Sequence, residues 1–300
     1  MKNKSVSLVL GSGGARGLAH IGVIRCLEEN GFSIESISGS SMGALIGGIY
    51  AAGKLEDYAE WVCALEKLDV IRLLDPSFTV GAGIFRGEKI ISVLRDLIGE
   101  HQIESLPISF TAVASDIERQ REVWLKSGPL FDAIRASIAI PTLFTPVYSD
   151  GRMLLDGGLV NPVPIAPTVR DNTQITVAVD AAATVRHDLV SREPPEPPQD
   201  HTSSENDSWY RRNIESFLES LHLTTPHKEH KDPDSLEIIS RSIDTMQALI
   251  TRFQLAAYHP DLLIKIPIDI CMFYEFHKAE MLIDFGYRMT QKNLDRMMAE

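Results

Sequence analysis

The residues of this chain whose types and spacing suit chemistry fall into three glycine-flanked groups. Gly39-Ser40-Ser41-Met42-Gly43 has the form G-x-S-x-G, in which a serine sits on a strained strand-to-helix turn with its hydroxyl presented outward. A side chain at Gly39 or Gly43 would crowd that turn and obstruct the approach to Ser41. Gly13-Gly14-Ala15-Arg16-Gly17 lies upstream, between a short apolar strand and a helix. Side-chain-free backbone there can turn its amides toward a ligand, and the helix N-terminus adds positive potential. Asp156-Gly157-Gly158 lies downstream, behind the apolar Met153-Leu154-Leu155. A serine acting as nucleophile needs a base and donors for a developing oxyanion, and these groups supply one candidate for each part.

The base decides between mechanisms. A triad of the α/β-hydrolase order would place an acid and then a histidine after Ser41. The nine histidines fit this poorly. His20 precedes Ser41, His101 sits at a helix end, and His259 and His277 belong to the C-terminal part of the chain. The other five later histidines, from His187 to His230, fall in or beside a polar stretch. That leaves a carboxylate, and Asp156 is the choice. A hairpin turn is already supplied by Asp150-Gly151, and the paired glycines after Asp156 let the chain bend while leaving its carboxylate accessible. Dinucleotide binding is disfavoured. Counted from Gly11, the sixth position of a G-x-G-x-x-G loop is Arg16, and no acid ends the second strand.

These groups require particular elements around them. Ser5–Leu10 reads as a buried strand, Gly11–Gly17 as a loop, and Leu18–Glu29 as a helix ended by Asn30-Gly31. Ile34–Ser38 is a second strand feeding the elbow and a helix that Gly53 closes. Strand, helix, strand, helix over this span predicts a βαβ unit with parallel strands. Helices are expected around Leu55–Leu68, Glu88–Ile98 and Leu130–Ile138, and strands at Ile108–Ser115, Glu122–Leu125 and Gln174–Asp180. From about Ser235 helical patterning returns, with a strand-like Leu262–Ile266 and a final helix over Lys278–Met298.

Composition bounds the rest. The chain has 300 residues, 44% of them hydrophobic, and a net charge of −12. That acidity argues against nucleic acid as a partner and against strong static adhesion to anionic lipid. Three scattered cysteines, Cys26, Cys63 and Cys271, predict neither disulfides nor a metal site, and fit a cytoplasmic setting. The N-terminal sequence lacks the pattern of a signal peptide, and no apolar run reaches the roughly 18 residues of a membrane span. Membrane contact is therefore expected to be transient and peripheral.

Taken together, the three groups resemble the patatin-like phospholipase family. Arg135-Ala136-Ser137 with Pro141 and Phe144 also looks like the family's pattern. The resemblance spans roughly residues 7 to 170. Within the family, the compact form and the glycine-rich start are similar to bacterial proteins related to the catalytic domain of neuropathy target esterase, the RssA-type group. The resemblance implies a three-layer α/β/α fold with a largely parallel central sheet, and carboxylic-ester hydrolysis on phospholipids or lysophospholipids without a cofactor. It also implies a Ser41–Asp156 dyad and an oxyanion loop of Gly13, Gly14, Ala15, Arg16 and Gly17, in which the amides of Gly13 and Gly14, with Ala15 as a third, are the donors. The chain departs from many relatives at Ser12, where they have glycine. The expected organisation is a motif-bearing domain at 7–170, a last core strand at 171–185, a polar Pro- and acid-rich linker at 186–234 and a C-terminal helical extension at 235–300. An alternative is a regulatory or adaptor protein that keeps the fold but works by binding.

Overall fold

Short apolar runs bounded by glycine, followed by segments of helical periodicity, make the chain alternate strand and helix from its start. The computed structural model describes residues 4–77, 83–184 and 235–299. β1 (Lys4–Leu10) leads through a tight 3-10 turn (Gly14–Leu18) into α1 (Ala19–Glu29), and β2 (Phe32–Ser40) leads directly into α2 (Met42–Ala51). α3 (Leu55–Cys63), α4 (Lys67–Arg72), α5 (Glu88–Ile98), β3 (Ser109–Asp116), β4 (Arg121–Leu125) and α6 (Leu130–Ser137) follow. β5 (Val147–Ser149) and β6 (Arg152–Asp156) form the expected hairpin, turning at Asp150 and Gly151 with φ of 49° and 67°. β7 (Ile175–Ala183), α7 (Ser235–Ala257), β8 (Leu262–Pro267) and α8 (Ala279–Ala299) complete the described chain. By internal contacts the chain divides into two units, Met1–His187 with Gln247–Glu300, and Asp188–Met246. Of the second unit, only the beginning of α7 is described, and the linker expected at 186–234 lies outside the described residues.

The strands of the first unit form one mixed sheet in the order β5-β6-β3-β2-β1-β7-β8, with β4 also paired to β3. β1, β2, β3, β7 and β8 are parallel neighbours; β4 and β6 run antiparallel to β3. The registers along β3 position the site. β4 occupies one edge of β3 from Ala112 to Asp116. β2 pairs with Ser109 to Val113 and β6 with Ala114 to Asp116, so both must use the other edge. The two strands therefore meet end to end: Ser40 lies opposite Val113 and Asp156 opposite Ala114, the next position along β3.

Both faces of the sheet are covered. Leu10, Ile37 and Phe110 project toward Gly47 of α2, whose missing side chain lets the helix settle on the strands. On the opposite face Val9 and Ala178 pack with Val163 and Ile165, and Leu255 of α7 lies against them. Two of the serines that alternate onto that face find partners. The Ser7 hydroxyl pairs with that of Thr173 at 2.7 Å, and the Ser38 hydroxyl donates to the Pro164 carbonyl. This is an α/β/α architecture with a largely parallel sheet.

The C-terminal part is more than an appended pair of helices. β8 pairs with β7 and extends the main sheet, and α8 lies along α1. The helices approach so closely that a Cβ on Gly22 would stand 1.9 Å from the Ile283 carbonyl, and one on Gly286 2.1 Å from that of Ala19. Apolar residues in a short run such as Leu262–Ile266 do not reveal which edge they will join, so the sequence reading sets this segment apart where the fold builds it in. Gly22→Val should lower unfolding stability by about 3 kcal/mol through overpacking. An unchanged denaturation midpoint in urea would show that α8 does not hold α1 as described.

Candidate active site

Ser41 stands between the last residue of β2 and the first of α2, with φ 56° and ψ −121°. That backbone region is sparsely populated for a residue with a side chain and costs on the order of 1–3 kcal/mol. Its carbonyl accepts the amides of Ala44 and Leu45, so the residue caps α2 while its side chain points elsewhere. The elbow is tight because α2 starts directly against β1: a Cβ on Gly43 would lie 1.9 Å from the Leu10 carbonyl, and one on Gly39 2.3 Å from that of Gly43. The glycines are thus demanded by backbone packing behind the elbow.

The Ser41 hydroxyl donates to Asp156 Oδ2 at 2.6 Å. Asp156 Oδ1 accepts the Gly158 amide at 2.7 Å, and both Ser41 and Asp156 are buried. Burial pushes the Asp156 carboxyl up from the ordinary value of 3.8 to about 6, against the opposing pull of the Ser41 hydroxyl and the Gly158 amide. A carboxylate at the bottom of its usual range is a poor proton acceptor from serine, and this environment makes Asp156 a better one. Gly157 closes the bend, since a Cβ there would stand 2.1 Å from the Val113 carbonyl.

The glycine-rich stretch is packed against both other groups. A Cβ on Gly17 would fall 2.4 Å from that of Met42, and one on Gly158 2.8 Å from Ser12 Oγ. The loop's own ladder contacts are made by Gly11, whose amide donates to Val179, and Ser12, whose amide donates to Pro162. The amides of Gly13 and Gly14 have no hydrogen-bond partner among the described residues. Ala15 differs from the expectation. Its amide donates to the Phe273 carbonyl at 2.7 Å and is not a free donor. The carbonyl comes from the connection between β8 and α8, which nothing near Ala15 in the sequence announces. Arg16 holds the loop from the side, with Nε donating to the Gly13 carbonyl at 3.0 Å and Nη1 to that of Ile268 at 2.8 Å.

No histidine among the described residues hydrogen-bonds to Ser41 or Asp156. His20 is buried and its Nε2 pairs with the Gly11 carbonyl at 2.8 Å; burial drives its pKa down to about 4, so the ring is neutral. His101 pairs with the Ile98 carbonyl. Three polar groups at the site escape sequence reasoning. The Ser137 hydroxyl accepts the Ser41 amide at 3.0 Å, and the Ser115 hydroxyl donates to the Asp156 carbonyl at 2.7 Å. The Met42 amide, in the open first turn of α2, is another donor without a partner among the described residues. The signal for Met42 was present, because the residue after an elbow serine begins the helix. Arg135-Ala136-Ser137 is part of the sequence resemblance, but its spacing does not point to the elbow.

Comparison with known proteins identifies the family and the fold. A family profile described as patatin-like phospholipase matches residues 8–169. An uncharacterized NTE family protein of Mycobacterium tuberculosis is 38% identical over 97% of this chain and 91% of its own. Lysophospholipase NTE1 of Coccidioides immitis is 27% identical over 99% of this chain, which corresponds to 18% of that larger protein. Among solved structures, VipD from Legionella pneumophila superposes with a TM-score of 0.50 at 15% identity, over 99% of this chain and 67% of its own, a likeness of fold.

The raised carboxyl has a signed consequence for stability. With a folded value near 6 and an unfolded value near 3.8, the folded state binds more protons between those two pH values, so Asp156 withdraws stability as pH rises through that window. The withdrawal is on the order of 3 kcal/mol, complete above pH 6 and absent below about pH 4. Asp156→Asn should therefore melt higher than the parent at pH 7.5, with the difference vanishing toward pH 4. A variant that melts lower at pH 7.5 contradicts the buried, raised carboxyl.

Proposed function

The chain belongs to the patatin-like phospholipase family, and from that premise we propose that it is a serine lipid acyl hydrolase working through Ser41 and Asp156. The observation that carries this reading is the 2.6 Å hydrogen bond from the Ser41 hydroxyl to a buried carboxylate pushed up to about 6. Asp156 takes the proton as Ser41 Oγ bonds to the ester carbonyl carbon. The carbonyl oxygen becomes an oxyanion, and the amides of Gly13 and Gly14, with that of Met42, donate to it. Collapse breaks the bond to the leaving alcohol, which receives the proton from Asp156 and leaves an acyl group on Ser41. Water then yields a proton to Asp156 and attacks the acyl carbon; expulsion of Ser41 Oγ, which regains that proton, releases the carboxylic acid.

Phospholipids or lysophospholipids are the substrate class this reading favours, since the fungal relative bears the name lysophospholipase. Among the described residues no helix is long and apolar enough to cross a membrane, so we place any encounter with lipid at a surface and of short duration. The rival in which the fold serves only for binding separates cleanly from this one.

A fluorophosphonate probe should modify Ser41 and not Ser40, read by peptide mass spectrometry. Ser41→Ala and Asp156→Asn should each lower hydrolysis of a short-chain nitrophenyl ester by at least about a thousandfold while staying folded. The parent rate should fall as pH drops through about 6, where Asp156 is protonated. Full activity in Ser41→Ala ends the proposal, and absence of both labelling and turnover favours the binding protein.

The glycine loop is tested separately. Gly14 has φ 55°, and a Cβ there would meet the Phe273 carbonyl at 2.5 Å, so Gly14→Val must displace the loop. We expect turnover to fall by roughly a hundredfold to a thousandfold, the usual effect of losing one oxyanion donor. A folded Gly14→Val protein with the parent rate removes the loop from the mechanism.

A further inference from the structure

The strained turn at Ser41 has to be held by something. Its amide is buried, and the partner it finds is the hydroxyl of Ser137, at the end of α6, at 3.0 Å. The direction is unambiguous. Ser137 Oγ also lies 2.6 Å from the Val113 carbonyl, which only accepts, so the hydroxyl proton is committed to Val113 and a lone pair faces Ser41. Ser137 is fully buried, leaving no water to replace it. Two residues further on, the Ala139 carbonyl accepts the amide of Asp156 at 2.9 Å. The end of α6 thus grips the main chain of both dyad residues, and Ser137 supplies the side chain in that grip. Val113, which anchors Ser137, is the β3 residue opposite Ser40.

We propose that Ser137 is a positioning residue for the reaction, one that holds the backbone of Ser41 in its strained conformation so that Oγ stays in line with Asp156. This rests on the reading of Ser41 and Asp156 as the dyad. Ser137 does not touch substrate. Without its oxygen the buried Ser41 amide has no acceptor, and the turn gains by relaxing toward ordinary dihedral angles and carrying Oγ away from Asp156 Oδ2. Displacement of about 1 Å at a reacting group costs on the order of a hundredfold in rate. An ordinary core hydroxyl would act differently: its loss would lower stability and leave the turnover of folded protein as it was.

The test compares the parent, Ser137→Ala, Ser137→Thr, Ser137→Cys and Ser41→Ala with one nitrophenyl ester, with melting temperature measured on each sample. Ser137→Ala should lower kcat by about tenfold to a hundredfold with KM within twofold, and should label with the fluorophosphonate correspondingly more slowly. Ser137→Thr, which keeps the hydroxyl, should recover most of kcat. Folded Ser137→Ala protein with kcat within twofold of the parent overturns the proposal, and so does a Thr variant as slow as the Ala variant. Should Ser137→Ala fail to fold, Ser137→Cys is judged by the same kcat criterion, since a thiol matches the volume but accepts weakly. Ser41→Ala separates the two levels. If it is inactive while Ser137→Ala is normal, only the role of Ser137 falls; if it is active, the dyad itself falls.

Discussion

Two strands of opposite direction compete for one edge of β3, and the site is what forms where they meet. β2 pairs as far as Val113, and β6 takes over at Ala114. A strand that meets another head-on cannot continue, so each chain must leave the sheet there. β2 leaves through the strained turn at Ser41, and β6 through the bend at Gly157. The hydroxyl and the carboxylate are brought within 2.6 Å by the same collision. The glycines at 43 and 157 follow from it, because both departing backbones run hard against carbonyls of neighbouring strands.

That arrangement is costly, and the rest of the fold carries the cost. A buried carboxylate, a serine with positive φ and amides at Gly13 and Gly14 without partners among the described residues all oppose folding. They are tolerated because α2 packs on Leu10, Ile37 and Phe110 behind the elbow, and α1 is locked against α8. Strain collected at one place and over-determined by its surroundings is the pattern expected where stability is exchanged for reactivity.

Much of this was legible in the sequence, and the boundary of legibility has a physical reason. The elbow, the hairpin at Asp150-Gly151 and the helix Glu88–Ile98 are local: turn chemistry and periodicity within a few residues determine them. The position of Asp156 at the end of an apolar strand and before two glycines was also readable, and the structure sets its carboxylate 2.6 Å from the Ser41 hydroxyl. Ser115 and Ser137 were not readable. A serine in a strand or at a helix end carries no local mark of what its hydroxyl will meet, and both partners come from distant parts of the chain. The same holds for Ala15, whose amide waits for Phe273, and for β8, whose place beside β7 depends on a long crossover.

The bond between Ala15 and Phe273 also sets an order in time. Domains assemble as the chain leaves the ribosome, N-terminal parts first. Here β1, β2 and Ser41 are made first, and the carbonyl of Phe273 that fastens the glycine loop and the helix α8 that lies along α1 are made only after β8. A nascent chain holding the entire 8–169 region still lacks both. In such a chain the Ala15 amide has no Phe273 carbonyl to meet and α1 has no α8 beside it. Completion of the loop's surroundings therefore waits on residues that follow the family-matched region.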